Sequence, residues 1–202
     1  MPYPPRICFD GAIYHVTARG DNREPIFFDD SDYRKYLRLL QRYKRECGFV
    51  LYAYALMPNH IHLLIGAMRT MTISGIMQRL GIAYTRYFNA RHKRVGHVFQ
   101  GRFHSKLIDQ DVYLLVASRY VHLNPVRAQL VKDPATYPWS SYRSYRESPD
   151  HPRHLADTSL VLSLVSQGET DPVRQVQSYC TFVETATLAE IAQEAEWLKL
   201  RI

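Results

Sequence analysis

A chain of 202 residues, 46% of them hydrophobic, can bury one core and a small appendage, and no apolar run nears the ~20 residues that cross a bilayer. The opening MPYPPRICFD lacks the continuous apolar stretch of a signal peptide, so a cytoplasmic protein with no membrane partner is expected. The net charge is +7, and three cysteines, odd in number and far apart, argue against a disulfide framework or a zinc cluster.

Ala12 to Arg19, AIYHVTAR, is rich in strand formers and stops at Gly20-Asp21-Asn22, a turn signal. Asp29-Asp30-Ser31-Asp32 then supplies caps and first-turn acids for a helix to about Cys47, with Tyr33, Tyr36, Leu37, Leu40 and Tyr43 on one stripe and Gly48 ending it. Phe49 to Leu56 reads as a second strand. His60 to Gly66 reads as a third, paired with it through the Met57-Pro58-Asn59 turn.

Thr72 can cap the next helix, in which Ile73, Ile76, Met77, Leu80, Tyr84, Tyr87 and Phe88 follow three-four spacing. Arg91 to His97 is predicted to be a basic loop. Val98 to Ile108 is predicted to be a fourth strand, with Gln100, Arg102, His104 and Lys106 on one face and Phe99, Phe103 and Leu107 on the other. The order β-α-β-β-α-β points to a ferredoxin-like α/β (α+β) sandwich with an antiparallel sheet.

Asp109 and Asp111 open a further helix, DQDVYLLVASRYVHLN, which Pro125 is expected to end or restart. The Pro- and Tyr-rich DPATYPWSSYRSY should wrap back on the core with Trp139 as anchor. SPDHPRH reads as a linker, and short helices follow. The last carries Leu188, Ile191, Ala195, Leu198 and Ile202 as a stripe.

Charge divides the chain at the same place. Residues 1–146 carry 22 Lys or Arg against 10 Asp or Glu, whereas residues 147–202 carry 4 against 9. The expected organisation is therefore a basic domain over 1–146 and an acidic helical segment over 147–202. No acidic residue falls between Cys47 and Ile108, a window that holds Arg69, Arg79, Arg86, Arg91, Lys93, Arg94, Arg102 and Lys106. Ordinary solubilising charge explains scattered cations but not the missing acids, so a polyanionic partner, most simply nucleic acid, is expected. The acidic segment could dock over this surface and restrain binding, or serve only as a helical cap on the core.

The stretch MPNHIHLLI carries the sharpest chemical signal. With period two, His60, His62 and Leu64 share one strand face, and the two imidazoles stand roughly 6.6 Å apart along the backbone. They can converge on one metal ion. A bare HxH is more often a solvated sheet face, so the reading rests on the rest of the chain.

The opening PRICFDGAIYHVTARGDNREPIFFDD, the AYALMPNHIHLLI block, the FQGRF strand and the RYVHLNPVRAQLV helix occur in order over about residues 5–146. Together they resemble the HUH-type single-tyrosine transposases, most closely their REP-associated branch. The resemblance implies a ferredoxin-like catalytic domain in which His60 and His62 bind a divalent metal that polarises a phosphodiester of single-stranded DNA. It implies a nucleophile on the helix after the last strand, at Tyr120, leaving a 5′-phosphotyrosine and a free 3′-OH. Asn124 matches a position that can supply a third metal ligand; read from the residues alone it is equally an N-cap before Pro125.

The chemistry is self-consistent. A phenol, with an ordinary pKa of about 10, needs a cationic site to attack at neutral pH, and phosphoryl chemistry favours hard cations such as Mg²⁺ or Mn²⁺. The chain holds 15 tyrosines; Tyr84, Tyr87 and Tyr113 are also helical, and most such residues pack in cores. Arg102 and Lys106 are the leading candidates for phosphate contacts, followed by Arg19, Arg23, Arg91, Lys93 and Arg94. His15, His104 and His122 rank lower as site residues. The partner that the resemblance implies is single-stranded DNA with a hairpin, bound by a monomer or homodimer. A DNA-binding regulator that keeps this fold without cutting is the alternative.

Overall fold

Alternating side chains give the central sheet two unlike faces. The computed structural model describes residues 9–67, 71–147 and 155–198. Strands β1 (Ile13–Arg19), β2 (Val50–Met57), β3 (His60–Gly66) and β4 (His104–Ile108) pair antiparallel in the order β2-β3-β1-β4. With α1 (Asp30–Cys47) after β1 and α2 (Ile73–His92) after β3, this is the ferredoxin-like arrangement that the element order predicts.

Tyr14, Val16, Leu63 and Ile65 point to α1 and α2, where they meet Tyr36, Leu40, Ile76, Leu80 and Tyr84 in one buried cluster. The Asp29 side chain caps α1 by accepting from the backbone N–H groups of Ser31 and Asp32, and Gly48, at φ 67°, ends it in the left-handed region that glycine tolerates. The turn into β3 is held from outside: the Gly20 N–H donates to the Asn59 carbonyl and the Ile26 N–H to that of Pro58.

Three local expectations need correction. α2 continues through Arg91 and His92, and Lys93, at φ 51°, closes it, so the basic loop is shorter than the charge run. β4 begins at His104, not Val98. Thr17 faces His104 while Gly20 faces Phe99, so this strand has two residues more than β1 can pair, and Gly101 at φ 95° turns the excess outward.

The third concerns α3 (Asp111–Arg127), which runs through Pro125. Proline removes one helical donor, and here that loss falls in the last turn. Every residue from Ala117 to Pro125 is buried, so packing on both sides holds the helix straight through a residue that propensity disfavours.

α3 lies on the second sheet face, its Leu114, Ala117 and Val121 against Ala53, Ala55 and Leu64. The small side chains of β2 let the helix approach closely. Its outer side is covered by α4 (Tyr142–Arg146), α5 (Ser159–Val165), α6 (Pro172–Glu184) and α7 (Leu188–Leu198), which bring Tyr145, Val161, Leu162, Tyr179 and Val183 into the same cluster. The expected wrap before α4 is present: Trp139 stacks on Tyr33 at 4.6 Å, and its carbonyl accepts from the Leu56 N–H. The predicted linker 148–154 and Ile202 lie outside the described residues. No described helix is long and apolar enough to cross a membrane.

Candidate active site

The register of β1 against β3 sets Arg19 opposite His60 and Thr17 opposite His62, so these side chains share the sheet face that α3 covers. The His60 and His62 rings are 4.9 Å apart and nearly perpendicular. Each is oriented by a neighbour. His60 Nδ1 lies 2.7 Å from Asn59 Oδ1; that oxygen can only accept, so the proton is on Nδ1 and Nε2 keeps its lone pair. His62 Nδ1 lies 3.0 Å from His15 Nε2, leaving His62 Nε2 as its other ring nitrogen.

Burial keeps all three imidazoles neutral. It lowers the pKa of His60 to about 4, with the Arg19 charge adding to the effect. It takes His15 to about 3, helped by Lys106, and takes His62 well below the usual range, helped by His15, His60 and Arg127. A neutral imidazole with an available lone pair is the form that binds metal ions.

Docking of α3 completes the group. The Tyr120 ring stands edge-on to both imidazoles, its centroid 5.6 Å from that of His62 and 5.7 Å from that of His15. The Arg127 guanidinium, two turns later on the same helix, lies 4.9 Å from the Tyr120 ring centroid. Asn124 sits inside the helix, so it does not cap a new one. Its Nδ2 donates to the Tyr120 carbonyl at 2.7 Å, and Oδ1, the atom that could approach a cation, has no hydrogen bond among the described residues.

The sequence profile described as "Transposase IS200 like" matches residues 8–124. The chain belongs to this transposase family. A solved structure of a REP-associated tyrosine transposase bound to a REP hairpin shares the fold: TM-score 0.62 at 18% identity, covering 77% of this chain and 92% of that one. A candidate transposase from Deinococcus radiodurans R1 aligns with TM-score 0.42 at 18% identity over 64% of this chain and 92% of its own. No protein of curated function matches the sequence.

The basic side chains of this transposase fall into two groups. Arg19 lies on the site face and donates to Gln100 Oε1 at 3.2 Å, while Arg23, Lys93 and Arg102 are exposed. Arg91 is instead paired with Asp29 at 2.6 Å and with the buried Asp32 at 2.6 Å, and Arg94 with Glu24 at 2.8 Å. Their charges are already matched, and Arg91 ties α2 to the start of α1. Lys106 pairs with His15 in register, but its ammonium lies 3.6 Å from the Trp197 ring centroid and donates to the Trp197 carbonyl.

Of the other candidates, His122 is buried between the Tyr179 hydroxyl and Ser141 Oγ, each at 2.8 Å. Tyr84 donates to the Ile26 carbonyl in the core, Tyr87 to Asp32, and Tyr113 stacks on Trp197. Asn59 and Arg127 are not among the residues that the sequence points to, and it ranks His15 low. For His15 a signal existed: two residues before Thr17 in the alternation, it shares a face with whatever pairs beside it.

Proposed function

We propose that this transposase is a metal-dependent endonuclease and strand transferase for single-stranded DNA that cuts through a 5′-phosphotyrosine formed on Tyr120. The observation that carries the reading is the meeting of the Tyr120 ring with the His62 ring at 5.6 Å on one covered sheet face.

The donor set fits a divalent ion. Two neutral imidazoles can present Nε2, each with its other nitrogen engaged, and Asn124 carries an amide oxygen beside them on the same helix as Tyr120, while His15 Nε2 serves His62 as an outer partner. Among the described residues no group of three or more His, Cys, Asp or Glu side chains is arranged to hold a metal. Three protein ligands, His60, His62 and Asn124, would leave an octahedral ion positions for water and phosphate oxygens. A bound Mg²⁺ or Mn²⁺ would supply charge neutralisation at the non-bridging phosphoryl oxygens.

The chain's own groups do the rest. The Tyr120 oxygen forms the new bond to phosphorus, and the 3′-oxygen leaves with the electron pair of the broken bond. Arg127, over the Tyr120 ring, is placed to offset the charge of the phosphoryl group that joins the Tyr120 oxygen. Arg19, Arg23 and Arg102 hold the backbone on either side. The covalent link conserves the phosphodiester for rejoining, which water as a nucleophile would not. A hairpin substrate of the REP type, and the REP-associated branch itself, are supported by the sequence resemblance.

The test is incubation with single-stranded hairpin DNA and Mn²⁺ followed by denaturing electrophoresis. Wild type should give a denaturant-resistant protein–DNA adduct and Tyr120→Phe none; an adduct that persists in the variant would move the nucleophile elsewhere, and none in either would favour a non-cutting DNA binder.

A further inference from the structure

Ser118 and His122 stand one turn apart on α3, on the side of the helix turned about 160° away from Tyr120. Both hold the hydroxyl of Tyr179 in α6, which donates to Ser118 Oγ at 3.0 Å and lies 2.8 Å from His122 Nδ1. We propose that Tyr179 is a positioning residue that fixes the rotation of α3 and so the place of Tyr120 beside His62. This deepens the function proposed above and rests on its nucleophile.

The hydrogen bonds around Tyr179 form one chain with a single direction. At one end the Tyr54 N–H of β2 donates to Ser141 Oγ at 2.9 Å; at the other, Ser118 Oγ donates to the Leu115 carbonyl of α3 at 2.8 Å. An amide N–H only donates and a carbonyl only accepts, so the protons between them are assigned. Ser118 spends its own proton on Leu115 and accepts from Tyr179. Tyr179, its proton spent in turn, accepts from His122 Nδ1–H. His122 Nε2 then accepts from the Ser141 hydroxyl at 2.8 Å, a closer partner for that proton than the Tyr54 carbonyl at 3.3 Å.

Ser118, His122, Ser141 and Tyr179 are all buried, and none of these protons lacks an acceptor. Apolar side chains of the same shape would fill this space at little cost in stability, so the polar set contributes geometry more than energy. A turn of α3 about its axis breaks the bonds to Ser118 and His122 together. The phenol is held against following such a turn: its ring stacks on Tyr145 at 4.4 Å, and the Tyr145 hydroxyl donates to the Tyr52 carbonyl of β2 at 2.7 Å.

The other end of the chain reaches the strand beside the imidazoles. In the pairing of β2 with β3, Tyr54 faces Leu63 and Ala55 faces His62, and the Ser141 N–H donates to the Tyr54 carbonyl at 3.0 Å. α3 is thus indexed against β2 through Ser141 and against α6 through Tyr179, while Tyr120 on its other side meets the His62 ring. Beneath the helix the sheet offers the small side chains of Ala53 and Ala55, which do little to fix a rotation; the polar chain does.

The experiment follows adduct formation by the full chain in time, with Mn²⁺ and a range of hairpin DNA concentrations. Tyr179→Phe keeps the stacked ring and deletes the shared hydroxyl. It should lower the saturating rate constant by about tenfold to a hundredfold, the order expected when a reacting group is misplaced by about 1 Å. The half-saturating DNA concentration and the Mn²⁺ affinity should stay as in wild type. His122→Gln, which keeps one N–H and one acceptor oxygen, should retain more of the rate than His122→Leu. A merely structural role would lower the amount of adduct through the folded fraction and leave the rate constant alone; that result overturns the proposal, as does a loss of Mn²⁺ affinity equal to the loss of rate. If Tyr179→Phe does not fold, Ser118→Ala, a better helix former, decides by the same comparison. If Tyr120→Phe still forms the adduct, or wild type forms none, the proposed nucleophile falls and crystal structures of wild type and Tyr179→Phe decide the positioning: a Tyr120 ring displaced from His62 supports it, and an unmoved ring overturns it.

Discussion

His15 Nε2 stands 3.0 Å from His62 Nδ1, and the two rings lie 7° from parallel. One proton occupies the link between two neutral imidazoles. If His62 donates it, His62 Nε2 carries a lone pair; if His15 donates it, His62 Nε2 carries a hydrogen and cannot ligate. Metal binding therefore selects the tautomer in which His15 accepts. His15→Ala should lower Mn²⁺ affinity by about 10- to 100-fold, read by titration calorimetry or by the spectrum of free Mn²⁺, with His15→Gln recovering part of it. Equal affinity in wild type and His15→Ala would reduce the contact to packing.

Arg127 is exposed and lies over the ring of Tyr120, so it is available to the reacting phosphate without serving the core. Removing one charged donor from a developing oxyanion commonly costs about 10²–10³ in rate. Arg127→Ala should slow adduct formation by that order while Mn²⁺ affinity stays within about threefold of wild type. A fall in metal affinity as large as the fall in rate would place Arg127 in ordering the imidazoles instead.

Four imidazoles whose pKa values are depressed in the folded chain make stability depend on pH. Burial takes His15 and His122 to about 3 and His60 to about 4, and lowers His62 well below 6.5. Below about pH 6.5 the unfolded chain binds protons that these sites refuse, so stability is complete above that pH and falls as the pH drops toward 4. For the fully buried His15, His62 and His122 the loss is up to about 1.4 kcal/mol per pH unit each. The urea midpoint should drop clearly between pH 7.5 and pH 5.5 without metal, and added Mn²⁺ should oppose the drop. A flat midpoint would mean that the imidazoles are solvated.

Periodicity made the sheet and its two faces legible, because a residue's side of a strand follows from counting. It could not reveal what crosses between elements. His15 became part of the site only when β1 paired with β3, and Asn59 only when the turn closed beside His60. The acid-free basic window between Cys47 and Ile108 points to an anionic partner but not to which cations are spent internally: Arg91 answers Asp29 and Asp32, partners about 60 residues away in sequence. Pro125 was misleading for the opposite reason. Local preference spoke against a helix that tertiary burial on two sides enforces.

The C-terminal helices read in sequence either as a restraint on DNA binding or as a cap, and their contacts favour the cap. Arg119, the neighbour of Tyr120, is buried against Glu194 of α7: its Nε donates at 2.8 Å and its Nη2 makes a second bond to the same oxygen. Arg119 also donates to the Phe182 carbonyl at 3.2 Å and lies over the Phe182 ring. Glu194→Ala should cost about 3 kcal/mol, at the low end for a broken buried pair because the Phe182 contacts remain. Replacing both partners by apolar residues of similar size should recover most of that, since the pair's own desolvation is then relieved. Ending the chain after Glu147 removes Tyr179, Val161, Leu162 and Val183 from the outer side of α3, and the expected result is loss of cooperative unfolding, not tighter DNA binding. A truncated protein that melts cooperatively and binds single-stranded DNA more strongly at low salt would show that the segment restrains the basic face.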